Sequence, residues 1–260
     1  MRSTLAASAQ RTQVPRVVPP PTGPQRGSED DALALIFAPL RRGDGYRHGA
    51  LGAPGFGKTH HLRRVISAAL ERRLVDLVVT HDTKHREPDY PGTCVPYVAD
   101  VAGVTAELER TRHVVFRGDP RRDEKCSAED VAMYARRISR DAAGDGIAVL
   151  LNIGELDECL SEGGRSFDAP SVRWFSSQGR QLRACLVWTQ QQPKRCPDEF
   201  FDQSTTLALF HLDERSANYL GGVLMFDPDL VAILPRLDPH EFVIRQPGVD
   251  WNRRVYRHAA

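Results

Sequence analysis

The chain is poor in cysteine and lysine and carries no excess of either charge. Its five cysteines are odd in number and none follows C-x-x-C spacing, which argues against a disulfide framework and against a zinc site. The 35 basic and 34 acidic side chains leave a net charge of +1, so the overall charge does not indicate a nucleic-acid partner. Any contact with DNA must therefore come from local basic patches.

Long apolar runs are also missing. No run approaches the roughly 20 residues that a membrane-spanning helix needs, and the N-terminus lacks the apolar core of a signal peptide. We therefore expect no transmembrane segment, and the cysteine usage described above indicates the reducing cytoplasm as the location. The 260 residues, 41% of which are apolar, suffice for one substantial α/β domain.

Acidic residues are absent from residues 1–27, which hold five prolines and four arginines. This composition predicts a disordered Pro/Arg-rich N-terminal arm. The arm is either a solvated leader or a contact for a capsid, a partner or DNA. Ser28 can cap a helix with an acidic first turn. The single folded domain is therefore expected to cover residues 28–260.

The stretch from Gly52 to Thr59 fits the pattern G-x-x-x-x-G-K-[ST] without a mismatch. Its glycines permit a backbone in which several N–H groups face one anion-sized hollow at the start of the following helix. Lys58 is then expected to reach the β- and γ-phosphates of a nucleotide, and Thr59 to bind Mg²⁺ through its hydroxyl. The alternative is a glycine-rich turn that only starts a helix, but lysine is too scarce here for its position to be an accident. The expected nucleotide-binding residues are Gly52, Pro54, Gly55, Phe56, Gly57, Lys58, Thr59 and His60.

The sequence on either side of this P-loop should form a strand and a helix. After the loop, Leu62, Val65, Ile66 and Ala69 recur on one face at helical spacing. Before the loop, residues 46–51 are few and polar for a strand inside a parallel sheet, which is usually a continuous apolar run. The pattern therefore predicts the helix clearly and the strand poorly.

A second chemical landmark follows the apolar stretch 147–153, which predicts a buried strand. Glu155 comes just beyond it, where an ATPase places the carboxylate that polarises the attacking water. The alternative is that residues 155–158 only form the acidic start of a helix. A further apolar strand ends at Gln190, whose amide could sense the γ-phosphate.

Gly154 breaks the expected pattern, because an aspartate normally supports Mg²⁺ from the position before the catalytic glutamate. Asp157, Glu158 or a neighbouring strand end could take over that task, or metal binding could rest on Thr59 and the phosphates alone. Residues 81–84 also follow an apolar run, and polar side chains in such a place are either part of a ligand-binding edge or simple turn residues.

Several of these features together resemble the FtsK–HerA superfamily of DNA-pumping ATPases. They are the P-loop, the strand that leads to Glu155, the pair Gly179-Arg180, and the strand ending in Thr189-Gln190 with Pro193 close behind. Within that superfamily the compact chain is most similar to the genome-packaging ATPases of membrane-containing icosahedral viruses. The resemblance spans about residues 46–245. It implies a RecA-like P-loop fold of the ASCE type, with a mostly parallel central sheet flanked by helices.

The resemblance also implies roles for individual residues. Lys58 and Thr59 become the phosphate and Mg²⁺ residues, Glu155 the catalytic carboxylate and Gln190 the sensor. Arg180 becomes the arginine that one subunit inserts into the site of the next. ATP and Mg²⁺ are the implied cofactors, and hydrolysis is expected at the subunit interfaces of a homo-oligomeric ring, a hexamer or a pentamer.

Other basic residues offer weaker candidates. Arg183 and Arg173 stand behind Arg180 as alternatives for the inserted arginine. Loops that could meet DNA phosphates without reading bases are expected at Lys84-His85-Arg86, Arg121-Arg122 and Arg165. The basic end, residues 253–258, is read as a solvated tail, with a DNA or subunit contact as the alternative.

The implied function is the ATP-driven movement of double-stranded DNA into a preformed capsid, in the cytoplasm of a host cell. A capsid vertex or a membrane protein would then be the docking partner. Two alternatives stay open. One is a cellular FtsK/HerA-like translocase used in conjugation or chromosome handling. The other is a nucleotide-gated assembly protein with weak or no hydrolysis, which Gly154 suggests.

Overall fold

The structure, a computed structural model, describes residues 24–40, 44–82, 89–95, 101–117, 127–160, 167–246 and 251–258. The strands are β1 (Gln25–Gly27), β2 (Arg47–Leu51), β3 (Leu77–His81), β4 (Thr93–Val95), β5 (His113–Phe116), β6 (Val149–Ile153), β7 (Ala184–Gln190), β8 (Thr206–Leu209), β9 (Glu241–Arg245) and β10 (Arg254–Arg257). The helices are α1 (Glu29–Phe37), α2 (Lys58–Glu71), α3 (Val101–Thr111), α4 (Ala128–Asp141), α5 (Pro170–Ser177), α6 (Asp198–Gln203), α7 (Glu214–Val223) and α8 (Pro228–Ile233).

Within these ranges the strands form one sheet in the order β1-β10-β9-β8-β2-β7-β6-β3-β5-β4. All neighbouring pairs from β8 to β4 are parallel, whereas β9 runs antiparallel to both β8 and β10. The strand before the P-loop, β2, lies inside the sheet, and only β7 separates it from β6. The predicted mixed α/β architecture with a mostly parallel sheet is therefore confirmed.

Helices cover both faces of the sheet. Because successive strand residues point to opposite faces, neighbouring residues of one strand belong to two different cores. On β6, Leu150 belongs to the core shared with α1 and α2, whereas Leu151 belongs to the core shared with α4 and α5. Both leucines are fully buried. A strand covered on both faces reads as a continuous apolar run, which is why β6 and β7 could be predicted from the sequence.

The strand β2 is fully buried although Arg47, His48 and Gly49 stand among its five residues. Arg47 donates from Nε to a backbone carbonyl of α5 at 3.0 Å, and His48 shares a 2.8 Å hydrogen bond with Thr206. Gly49 lies against the ring of Trp188, which a Cβ at that position would overlap. Hydrogen bonds thus offset part of the cost of burying the polar groups, and the strand that its composition predicted poorly is present.

The helix caps follow the sequence. Ser28 caps α1, since its Oγ accepts a 3.1 Å hydrogen bond from the backbone N–H of Asp31 and its own N–H donates to the Asp31 carboxylate at 3.2 Å. This reciprocal pair satisfies two backbone donors of the first turn. None of the helices in the described ranges is both long enough and apolar enough to cross a membrane.

The two ends of the described chain pair with each other. The strand β1 runs parallel to β10, and β10 runs antiparallel to β9. The interpretation of the basic end as a solvated tail is therefore wrong for Arg254–Arg257, where Arg257 also pairs with Glu241 at 3.6 Å. Regular structure begins at Gln25, before Ser28. The disordered arm stays a prediction for residues 1–23, which lie outside the described residues.

Three buried histidines form a chain from the sheet to the residue after β10. Nε2 of His48 lies 2.8 Å from Nε2 of His61, and Nδ1 of His61 lies 2.8 Å from Nε2 of His258. Nδ1 of His258 is in turn 3.5 Å from a carboxylate oxygen of Glu29. Burial lowers the pKa of all three histidines, to about 3 for His48 and about 4 for His258. This row of neutral histidine rings therefore connects α2, the helix after the P-loop, to α1 and to the end of β10.

We expect the free energy of unfolding to fall as the pH is lowered from 7 to 5.5. The three histidines, and also His113 with its pKa lowered by burial to about 4, bind protons in this range only when the chain unfolds and the pKa returns to about 6.5. Their contribution to stability is therefore complete above pH 6.5 and is lost as the pH falls toward the folded-state values. Each should cost about 1 kcal/mol between pH 7 and pH 5.5.

Urea unfolding at several pH values measures this loss. A His113→Gln variant should show a shallower pH dependence than the wild type, because it removes one of the titrating groups. A free energy of unfolding that stays constant from pH 7 to pH 5.5 would contradict the assignment of neutral, buried histidines.

Candidate nucleotide-binding site

The P-loop joins the carboxyl end of β2 to α2 and depends on two glycines in the left-handed region. Gly55 has φ 81° and Gly57 has φ 98°, values that side-chain-bearing residues rarely adopt. A Cβ at Gly57 would also lie 2.7 Å from Nδ1 of His240. Gly57 is the N-cap of α2, and no side chain caps the first turn of this helix. The N–H groups of that turn are therefore placed to bind an anion.

Lys58 crosses this loop. Its side chain is buried, and Nζ donates a 2.9 Å hydrogen bond to the carbonyl of Ala53 at the other side of the loop. Thr59 and His60 follow in the first turn of α2 and are partly exposed. The ammonium group thus lies over the hollow in which the pattern predicts the phosphates.

Two histidines far along the chain stabilise the loop, and no pattern in the sequence indicates either of them. The ring of His211 stacks on Phe56 with centroids 4.3 Å apart. The backbone N–H of His240 donates to the carbonyl of Phe56 at 3.1 Å, and its ring fills the space beside Gly57. His211 follows β8 and His240 precedes β9, so both contacts stabilise the loop from the side of β2 that faces away from β7.

Glu155 follows β6, and its carboxyl is near enough to Lys58 to be influenced by the charge of the lysine. Burial raises the pKa of its carboxyl above the ordinary value, and the nearby Asp157 charge adds to the rise, while a hydrogen bond from Gln191 and the positive charge of Lys58 oppose it. Oε2 accepts that hydrogen bond from Nε2 of Gln191 at 2.9 Å. Oε1 is buried and has no hydrogen-bond partner among the described residues. Such an oxygen can accept a proton from a water molecule held between the carboxylate and a phosphate.

Gln190 stands between the P-loop and Glu155. Its backbone carbonyl accepts a 3.2 Å hydrogen bond from the N–H of Gly52, the first residue of the P-loop. Its side chain is fully buried, and Nε2 donates to Asp157 at 2.8 Å and to the carbonyl of Gln192 at 3.1 Å. The amide is therefore held in place at the strand end, as a sensor must be. The sensor role itself stays a prediction.

Gln191 is a site residue that sequence reasoning missed. It follows Gln190 directly and its amide orients the Glu155 carboxylate. The run of three glutamines after β7 was visible, but the sequence alone could not show which amide faces which carboxylate. That assignment needs the register between β6 and β7, in which Ile153 lies beside Trp188.

Arg180 is not brought together with these residues. It lies in the turn before β7, at the amino ends of the parallel strands, whereas the P-loop and Glu155 lie at the carboxyl ends. Its Nη2 donates to the carboxylate of Asp44 at 2.6 Å. Within one chain Arg180 therefore cannot reach the hollow, and its predicted role in a neighbouring site stays a prediction. Arg173 and Arg183 are each also engaged, with Glu199 and with a backbone carbonyl, both at 2.6 Å.

The predicted DNA-facing residues lie elsewhere. Lys84-His85-Arg86, Arg121-Arg122 and Arg165 all fall outside the described residues.

The oxygen donors around the hollow fit a Mg²⁺ ion bound together with phosphates. Thr59 supplies a hydroxyl, and the carboxylates of Glu155, Asp157 and Asp82 belong to the carboxyl edge of the same sheet. Mg²⁺ prefers oxygen ligands and is usually bound by one or two protein groups plus substrate phosphates. Over the described ranges, no group of three or more histidine, cysteine or acidic residues could hold a metal ion by itself. A metal here would therefore depend on the nucleotide.

A glycine-lined loop, a lysine across it and a carboxylate two strands away define the class of the site as that of a P-loop NTPase. No protein-family model and no curated protein matches this sequence. Solved structures do match its fold.

The genome packaging NTPase B204 from Sulfolobus turreted icosahedral virus 2, in complex with sulfate, aligns with a TM-score of 0.64 and 11% identity over 83% of this chain and 98% of that chain. Its complex with AMPPCP aligns with a TM-score of 0.62 and 11% identity over 83% and 97% of the two chains. VirB4 of Thermoanaerobacter pseudethanolicus aligns with a TM-score of 0.58 and 9% identity over 82% of this chain and 90% of that chain. The chain thus shares the fold of these proteins, which confirms the predicted fold class, an α/β P-loop NTPase fold with a mostly parallel central sheet.

Proposed function

We propose that this protein hydrolyses ATP with Mg²⁺ and uses the energy to move double-stranded DNA, packaging a viral genome into a preformed capsid. The observation that carries the proposal is the Glu155 carboxylate, which is oriented by Gln191, has one buried oxygen without a described partner, and lies within electrostatic reach of Lys58. The likeness in fold to a genome packaging NTPase supports it.

In the proposed reaction, the residues of this chain bind the triphosphate and prepare a water molecule. The first turn of α2 and Lys58 bind the phosphates, and Thr59 would hold Mg²⁺, which neutralises phosphate charge when it is bound. Glu155 accepts the proton of the attacking water. Gln190, which touches both the P-loop and Asp157, would pass the state of the γ-phosphate to the strand ends.

The proposed assembly is a homo-oligomeric ring, pentameric or hexameric, with DNA in its centre. Arg180 lies at the sheet edge opposite its own P-loop and is largely exposed, so it would serve the site of the next subunit. Its Asp44 partner would have to be exchanged for phosphate oxygens on assembly. DNA would be contacted through its phosphates without sequence readout, and a capsid vertex or a membrane protein in the host cytoplasm would anchor the ring.

We expect ATP hydrolysis by the full chain to increase several-fold when linear duplex DNA is added. The stimulation should be independent of base sequence and should weaken as the salt concentration rises, because the contacts are expected to be with phosphates. Steady-state phosphate release with and without DNA of two unrelated sequences measures this. Hydrolysis that DNA of any sequence leaves unchanged would refute the translocase.

A second candidate is a nucleotide-gated assembly protein, which Gly154 favours because it lacks the usual metal-supporting carboxylate. Such a protein would bind ATP and change its oligomeric state without appreciable turnover. The same assay separates the two, since the assembly protein would show nucleotide-dependent association in light scattering but no phosphate release.

A further inference from the structure

Gly154, the residue before Glu155, has little room for a side chain. Its N–H donates to the carbonyl of His81 at 3.0 Å. A Cβ built on Gly154 would lie 3.0 Å from that same carbonyl oxygen and 3.7 Å from the ring of Tyr90. The place at which an aspartate side chain would normally begin is therefore crowded by the end of β3, with the ring of Tyr90 in van der Waals contact.

Asp82 lies beside this position. In the parallel pairing of β3 with β6, His81 is opposite Ile153, so the next residues along the two strands, Asp82 and Gly154, are neighbours. The built Cβ of Gly154 would be 3.9 Å from the Cα of Asp82. The glycine thus allows the neighbouring strand to bring a carboxylate to the same point of the sheet edge.

The Asp82 side chain is held in a buried setting. Only 3% of the residue is exposed, which is rare for an aspartate because removing a carboxylate from water is costly. Its backbone N–H donates to the carbonyl of Phe116 at 3.0 Å, and its Oδ2 accepts a 3.0 Å hydrogen bond from the N–H of Asp89. An ionised carboxylate has about four acceptor sites, so it can accept hydrogen bonds from several donors at once.

Tyr90 connects Asp82 to the catalytic carboxylate. Burial raises the pKa of the Tyr90 phenol, and the negative charges of Asp82, Asp89 and Glu155 add to the rise. Asp82 and Glu155 are therefore both close enough to act on one ring, and that ring lies over Gly154.

Two other acidic residues of this edge have different settings. Asp157 accepts the hydrogen bond of Gln190 through Oδ1 and pairs with Arg195 through Oδ2 at 3.1 Å. Glu158 is exposed. Asp157 thus serves to hold the sensor amide, whereas Asp82 is a buried carboxylate directly beside Gly154.

We propose that Asp82 replaces the missing aspartate at position 154 and supports the Mg²⁺ ion of the bound nucleotide by accepting hydrogen bonds from its water ligands. The inference rests on the proposed nucleotide-binding function and deepens it. Asp82 is a positioning residue in this scheme, because it acts on the metal through water and does not touch the phosphates. In this scheme the metal-supporting carboxylate comes from the residue after β3, where the usual motif places it at the end of β6.

The test compares AMPPCP binding to the full chain in Mg²⁺ and in EDTA, for the wild type and for Asp82→Asn. Mg²⁺ increases the affinity for AMPPCP, and we expect this increase to be about ten- to hundredfold smaller for Asp82→Asn than for the wild type. The affinity of the variant in EDTA should be unchanged. Asp89→Asn, a change of a neighbouring carboxylate, is the matched control and should retain the full gain. Thermal unfolding checks that each variant is folded.

Asp82→Glu is the second variant, in case the asparagine variant does not fold. It keeps the charge but displaces the carboxylate by one methylene, so we expect a Mg²⁺-dependent gain between those of the wild type and Asp82→Asn. In either variant, a gain equal to that of the wild type overturns the proposal. A wild-type chain that binds no AMPPCP at all would instead overturn the proposed function, and the two failures are thus distinct.

Discussion

Lys58→Ala will abolish measurable ATP binding at concentrations that saturate the wild type. The ammonium lies across the P-loop, where Nζ reaches the carbonyl of Ala53, and it is expected to contact two phosphate groups. Charge-assisted hydrogen bonds contribute about 1.5–3 kcal/mol each, so their loss lowers the affinity by ~10²-fold or more. Fluorescence titration with a labelled ATP analogue measures the loss.

Lys194→Ala is the matched control for this change. Lys194 is exposed, and its ammonium group lies over the ring of Tyr219, 5.7 Å from the ring centroid. Its replacement should leave the affinity for ATP unchanged. Wild-type affinity in the Lys58 variant would mean that the glycine-rich loop is a turn and not a phosphate site.

The P-loop and the helix α2 could be predicted because their signals are local. Gly55 and Gly57 adopt left-handed φ values that their own lack of a side chain permits, and the apolar face of α2 recurs within a few turns. Ser28 and Asp31 form their capping box within one turn of chain in the same way. In each case the residues that decide the structure are close neighbours in the sequence.

The strand β2 could not be predicted with the same clarity, because the groups that make it a buried strand come from elsewhere. The backbone N–H of Arg47 donates to the hydroxyl of Thr205, the residue before β8, and the ring of His48 shares a hydrogen bond with Thr206 on β8. Gly49 makes room for Trp188 from β7. Read alone, the segment is a short polar stretch, and only the sheet order supplies its partners.

The candidate site shows the same division. Its proposed anion-binding half, from Gly52 to Thr59, is contiguous, so a local pattern in the sequence suffices to propose each of its residues. Its proposed catalytic half depends on the register of β7, β6 and β3, which places Gln191 on Glu155 and Asp82 beside Gly154. A departure from the expected motif, such as Gly154, therefore carries its meaning only once the neighbouring strand is known.

Glu155→Gln should leave ATP binding intact and reduce its hydrolysis by ~10²–10⁴-fold, the usual contribution of a general base. Glutamine has nearly the same shape, and its amide oxygen can still accept the hydrogen bond that Gln191 now donates to Oε2. The change thus removes the proton acceptor and keeps the packing. Glu158→Gln, in the same turn but exposed, is the control and should hydrolyse ATP at the wild-type rate.

The pH dependence of turnover offers an independent check on the same carboxylate. Burial raises the pKa of Glu155 above 4.5, and only the ionised form can accept a proton. Wild-type turnover should therefore fall as the pH is lowered through this raised pKa, at a pH where an ordinary surface glutamate would still be ionised. The residual activity of Glu155→Gln should lack this acid limb, because the amide does not titrate. Normal turnover in that variant, or the same acid limb in both proteins, would show that another group activates the water.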